Sequence, residues 1–108
     1  MAAVPHVTSD NFADEVLQSP DRVLVDFYST MCPPCRALAP YLDQLSDEFA
    51  GCIKIVKVNV DEEPALAVRF GISAVPTLIW FDEGRVVERT LGADPAALRR
   101  KLSRLCLA

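Results

Sequence analysis

Apolar residues recur along this chain in two rhythms, one of strands and one of helices, and the order in which they alternate predicts the architecture. Arg22 to Tyr28 reads as a strand buried on both faces, because Val23, Leu24, Val25 and Phe27 are nearly continuous and only Asp26 interrupts them. Ile53 to Val60 alternates Ile53, Ile55, Val56, Val58 and Val60 with two lysines and Asn59, which predicts another strand. Pro76 to Phe81 and Val86 to Leu91 are strand-like runs joined by Asp82-Glu83-Gly84-Arg85, a compact hairpin turn. Val4 to Val7 predicts a short edge strand, since Pro5 forbids a central place.

Helical spacing fills the intervals. Thr8 or Ser9 is placed to cap a helix with Phe12, Val16 and Leu17 on one face, ending by Ser19-Pro20. A second helix begins around Cys32 to Pro34, carries the stripe Leu38, Leu42, Leu45 and Phe49, kinks at Pro40 and stops at Gly51. A short third has Pro64 in its first turn, Leu66 and Phe70 as anchors and Gly71 as its stop. Asp94-Pro95 opens the last, with Leu98, Leu102 and Leu105 inward. The order βαβαβ-α-ββ-α predicts an α/β sandwich: a central mixed five-stranded sheet flanked by four helices, with right-handed crossovers in its parallel part.

Composition narrows the function. A chain of 108 residues, 51% hydrophobic and 24% charged, can bury one core but not two, so residues 1–108 are expected to form a single domain. The formal net charge of -4 argues against nucleic acid or an anionic membrane as a partner. The basic run Arg99-Arg100-Lys101 with Arg104 complements the dipole at a helix C-terminus. No export signal and no apolar run of ~18 residues is evident, so the expected location is the cytoplasm. Four cysteines in a reducing compartment point to redox catalysis or metal binding in preference to a structural disulfide framework.

The chemistry concentrates at Cys32-Pro33-Pro34-Cys35. Two cysteines separated by two residues at a helix start can close a disulfide with little backbone movement, and the first sulfur lies where amide groups and the helix dipole favour a thiolate. Cys32 is therefore placed to be the nucleophile. Cys35, one turn inside, is placed to resolve the mixed disulfide and leave Cys32–Cys35 oxidised. A zinc site needs two more ligands; no second such pair exists and His6 is remote in sequence, so no metal is expected.

Over essentially its full length the chain resembles the thioredoxin family. The resemblance is carried by Val23-Leu24-Val25-Asp26-Phe27-Tyr28, Cys32-Pro33-Pro34-Cys35-Arg36, Pro40, Lys57-Val58-Asn59-Val60-Asp61, Phe70-Gly71-Ile72, Val75-Pro76-Thr77-Leu78, Gly84 and Gly92. It implies the thioredoxin fold and a protein-disulfide reductase or redox electron carrier with no bound cofactor, whose redox-active disulfide is Cys32–Cys35. Asp26 matches the family's buried acid, whose raised pKa suits it to exchange a proton with Cys35, and Lys57 matches the lysine that tunes it. The resemblance further implies a cis bond before Pro76 and a partner-binding rim of Pro33, Pro34, Val60, Ala74, Val75, Pro76, Gly92 and Ala93. Implied partners are an NADPH-dependent flavoprotein thioredoxin reductase and disulfide-containing client proteins, with the chain acting as a monomer.

Departures from the family pattern matter too. Pro33 stands where glycine is usual and removes an amide near Cys32, which alters the redox potential without fixing the sign. Tyr28 and Met31 replace common tryptophans and leave Trp80 as the single one, away from the active pair. Cys52 and Cys106 read as small hydrophobes, with a regulatory or intermolecular disulfide as the alternative. Two further readings stay open: a specialised member with a different reductant or dedicated client, and a non-catalytic interaction subunit.

Overall fold

Arg22–Tyr28 forms β1, on which the sheet is centred. In the computed structural model, which describes residues 4–92 and 94–107, β1 lies between β2 (Ile53–Asn59) and β3 (Thr77–Asp82), with β4 (Arg85–Leu91) outside β3. β1 runs parallel to β2, from Arg22 opposite Ile53 to Tyr28 opposite Asn59, and antiparallel to β3. The parallel pair is linked through α1 (Pro33–Glu48); α2 (Pro64–Arg69) follows β2, and α3 (Pro95–Leu107) follows β4.

The two-residue period of the strands divides their side chains between two cores. Leu24, Ile53, Ile55, Leu78 and Trp80 meet Leu38, Leu42 and Leu45 of α1 and Leu98 and Leu102 of α3. On the opposite face Val23, Val25, Phe27, Val56, Val58, Ile79 and Phe81 meet Phe12, Val16 and Leu66. There the rings of Phe12, Phe27, Phe70 and Phe81 pack at centroid distances of 5.2 to 5.9 Å. Shortening one of the wholly buried leucines of α1 to alanine costs about 2–5 kcal/mol. By strand parity Asp26 shares the face of Leu24, and so lies beneath α1 near the end of β1 that leads to Cys32.

The sheet has four strands among the described residues where the sequence predicts five. The segment Val4 to Val7 makes a single parallel bridge, His6 beside Lys57, through Val7 N to Lys57 O (2.8 Å) and Lys57 N to Pro5 O (3.0 Å). Pro5 has no N–H for the next rung, and the turn at Thr8 diverts the chain at the other end. The predicted first helix shrinks to a π-helical turn, Ala13–Leu17. Its forecast cap fails because Thr8 N bonds the Asn11 side chain at 2.8 Å, a local turn that competes with helix initiation.

The hairpin turn is as predicted, with Glu83 (φ 52) and Gly84 (φ 77) both left-handed. Gly84 also lies against the π-helical turn: a Cβ there would stand 2.5 Å from the Leu17 carbonyl oxygen. The largest departure is at the remaining cysteines. Cys52 and Cys106 are joined in an intrachain disulfide with a Cα separation of 5.8 Å. Leu98, Leu102 and Cys106, four apart, share the inward face of α3, whereas Leu105, predicted inward, is 38% exposed.

Candidate active site

Proline is tolerated in the first turn of a helix, whose N–H groups have no intrahelical acceptor, and α1 opens with Pro33 and Pro34. Pro33 in turn disfavours the helical region for the residue before it, and Cys32 is extended, with φ -108 and ψ 108. Cys32 thereby becomes the N-cap: its Sγ accepts the Cys35 N–H at 3.2 Å. Because residues 33 and 34 carry no amide hydrogen, this is the first N–H that the helix offers the sulfur. Cys32 and Cys35 form a disulfide with a Cα separation of 5.2 Å. Both are largely covered, at 8% and 3% exposure, Cys32 being the more open.

The approach to Cys32 is fixed by polar contacts. Ser29 Oγ donates to Asp61 Oδ2 (2.7 Å) and accepts from Met31 N (3.2 Å), while Cys32 N reaches Ser29 O (3.3 Å). Facing it, the Val75–Pro76 bond is cis and Val75 O lies 3.6 Å from Cys32 Sγ. Thr77 Oγ1 donates to Ala74 O (2.6 Å), and Gly92 N donates to Pro76 O (2.9 Å), tying β4's end to this loop.

Behind the disulfide, Asp26 and Cys35 line one cavity of about 120 Å³, with Tyr28, Arg36 and Lys57 among its walls. The volume suffices for several water molecules. Asp26 is 2% exposed and its Oδ1 has no hydrogen-bond partner. Burial pushes its pKa up to about 7, and the neighbouring Lys57 charge pulls the other way.

The structure thus brings Cys32, Cys35, Val75, Asp26 and Lys57 into one connected locality. Pro33 and Pro34 are exposed on the first turn of α1; Ala74 and Gly92 are exposed, Val75 is half-buried and Pro76 is buried. Val60, half-buried, bonds through its N to Tyr28 O at 2.9 Å. Ala93 lies outside the described residues. Sequence reasoning missed His6, whose Nε2 is 2.5 Å from Tyr28 Oη; burial and the nearby Lys57 charge lower the His6 pKa. The signal was available only once the first segment was laid beside Lys57. Lys57 Nζ lies 5.5 Å from the Tyr28 ring centre.

Among the described residues no cluster of three or more histidine, cysteine or carboxylate side chains is arranged to hold a metal ion, and no helix is long and apolar enough to cross a membrane. The thioredoxin family model matches residues 3–104. The chain is 45% identical to thioredoxin 1 of Nostoc sp. over 95 residues, 88% of this chain and 89% of that protein. It is 43% identical to a thioredoxin of Synechocystis sp. over the same shares, and 44% identical to one of Allochromatium vinosum over 84% of this chain and 85% of that protein.

Proposed function

Because the chain belongs to the thioredoxin family, we propose that it serves as a general dithiol reductant whose oxidised form is regenerated by an NADPH-dependent flavoprotein thioredoxin reductase. The coarser activity needs no proposal: it is a protein dithiol–disulfide oxidoreductase working through the redox-active Cys32–Cys35 disulfide without a bound cofactor. The family supports the choice of reductase, and the exchange chemistry is supported by the graded placement of three groups. Cys32 caps the helix, Cys35 lies one turn behind it, and a buried carboxyl shares the cavity behind Cys35.

In this reading the Cys32 thiolate, favoured by the Cys35 N–H and the α1 dipole, attacks one sulfur of a client disulfide and expels the other as a thiolate. Cys35 then gives its proton to the Asp26 carboxylate, directly or through water, and attacks Cys32 Sγ. The client leaves with both sulfurs reduced, and two electrons have passed from the Cys32/Cys35 dithiol. Lys57 tunes the Asp26 titration. Pro33, Pro34, Val60, Ala74, Val75, Pro76, Gly92 and Ala93 form the partner rim, with the Val75 backbone free to pair with an extended client segment. The protein acts as a single-domain monomer in the cytoplasm.

The test is insulin disulfide reduction with NADPH and a bacterial thioredoxin reductase. Turnover supports the coupling; turnover with a chemical dithiol but none with the reductase removes it and leaves the specialised reading, which Pro33 and the missing tryptophans allow.

A further inference from the structure

We propose that Cys52–Cys106 is a second thiol–disulfide site, a latch that a dithiol reductant opens to free the last turn of α3 and uncover Trp80. The two disulfides lie at opposite ends of the molecule. Cys32 follows the end of β1, whereas Cys52 immediately precedes Ile53, which pairs with Arg22 at the beginning of β1. Seven residues of strand, roughly 20 Å, separate the two ends.

Their electrostatic settings are also opposed. Cys32 lies at a helix N-terminus and accepts an N–H, which stabilises a thiolate leaving group. Cys106 lies in the last turn of α3, at the negative end of that helix dipole, which disfavours a thiolate. With its thiolates the less favoured, the Cys52–Cys106 bond opens under more strongly reducing conditions than Cys32–Cys35 and stays closed during client turnover.

Both cysteines are half-buried, within reach of a small dithiol. One thiolate of the reductant attacks a sulfur of the pair and displaces the other, which takes up a proton. The second thiolate then closes the reductant's own disulfide and expels the remaining cysteine. Two electrons move from the dithiol, and Cys52 and Cys106 become thiols.

What opening releases follows from α3. Leu102 is wholly buried, but beyond it Arg104 is exposed and Leu105 is 38% exposed, so among the described residues the disulfide is the principal tie on the last turn. Leu105 and Arg104 wall a groove of about 450 Å³ against Val87, and Trp80 lines it. Trp80 is 4% exposed, and Cys106 packs against the cluster that holds it. Fraying of an untied helix end moves Leu105 away and opens Trp80 to solvent.

The experiment equilibrates the Cys32→Ser/Cys35→Ser variant in graded mixtures of reduced and oxidised dithiothreitol. Free thiols are counted by alkylation and mass spectrometry, Trp80 is followed by acrylamide quenching, and the C-terminal turn by trypsin cleavage after Arg104. The expected result is one two-thiol step in which quenching and cleavage both rise several-fold. In the unmodified protein, Cys32–Cys35 titrates first and leaves Trp80 unchanged. A Cys52→Ser/Cys106→Ser variant should show the open-state quenching at every mixture; if it fails to fold, the titration decides alone. Two free thiols under the most oxidising mixture, or a two-thiol step that leaves Trp80 and cleavage unchanged, would overturn the latch.

Discussion

Asp26 and Lys57 stand directly opposite one another on the parallel strands β1 and β2. The pair joins a carboxyl raised by burial to about 7 with a cation that opposes the rise. A native pKa above the unfolded value means that, between about pH 4 and pH 7, the unfolded chain has already released a proton that the native protein still holds. Native stability should therefore fall as pH rises through this window and level off above it. Asp26→Asn removes the slope: urea unfolding should find it more stable than the parent at pH 8 by up to about 4 kcal/mol and nearly equal to it at pH 4.

Lys57→Met removes the charge that lowers the Asp26 pKa, so the carboxyl should titrate above about 7. The pH profile of disulfide exchange under single-turnover conditions reads this as an alkaline displacement of its inflection. An unchanged inflection would show that Asp26 does not govern the resolving step.

Cys35→Ser leaves the attacking sulfur and removes the resolving one. The variant should accumulate clients as mixed disulfides on Cys32 that a dithiol releases, detectable as mass adducts of the purified protein. Adding Asp26→Asn to an otherwise intact active site should slow resolution without preventing initial attack.

Replacing both Cys52 and Cys106 by serine opens a loop of sequence separation 54. The chain-entropy relation gives a loss of about 4 kcal/mol in the oxidised protein, or a fall in Tm on the order of 20 °C. Calorimetry in excess strong dithiol should find the variant and the parent alike, because the bond is then absent from both.

Gly84→Ala should destabilise by more than about 1 kcal/mol, because its methyl meets the Leu17 carbonyl at 2.5 Å and φ is +77. The folded fraction should keep the parent's specific activity, since this turn joins β3 to β4 and contributes nothing to the cysteine pair.

Legibility in the sequence followed the range of the interaction. β1 could be read because double-sided burial writes a continuous apolar run, and Asp26 stood out within it because a charge there is costly. The active pair is adjacent within one helical turn, so its spacing sufficed. The first helix was misplaced where Thr8 and Asn11 satisfy one another locally. The Cys52–Cys106 pairing ranked only as an alternative for a different reason. It depends on the rotation of α3 about its axis, and counting Leu105 as inward obscured Cys106, four residues beyond Leu102. The cis Val75–Pro76 bond was legible only through family resemblance.

The bridge between His6 and Lys57 has a consequence for molecules at close quarters. A bare outer strand offers a row of amides on which a neighbour can extend the sheet, the first step toward ordered aggregates. Here Pro5 and Val7 occupy the backbone N–H and C=O of Lys57, in the second half of β2's free margin, before the chain turns aside at Thr8. An incoming strand finds that margin interrupted, so a few residues too short to make a strand of their own help to keep the protein dispersed.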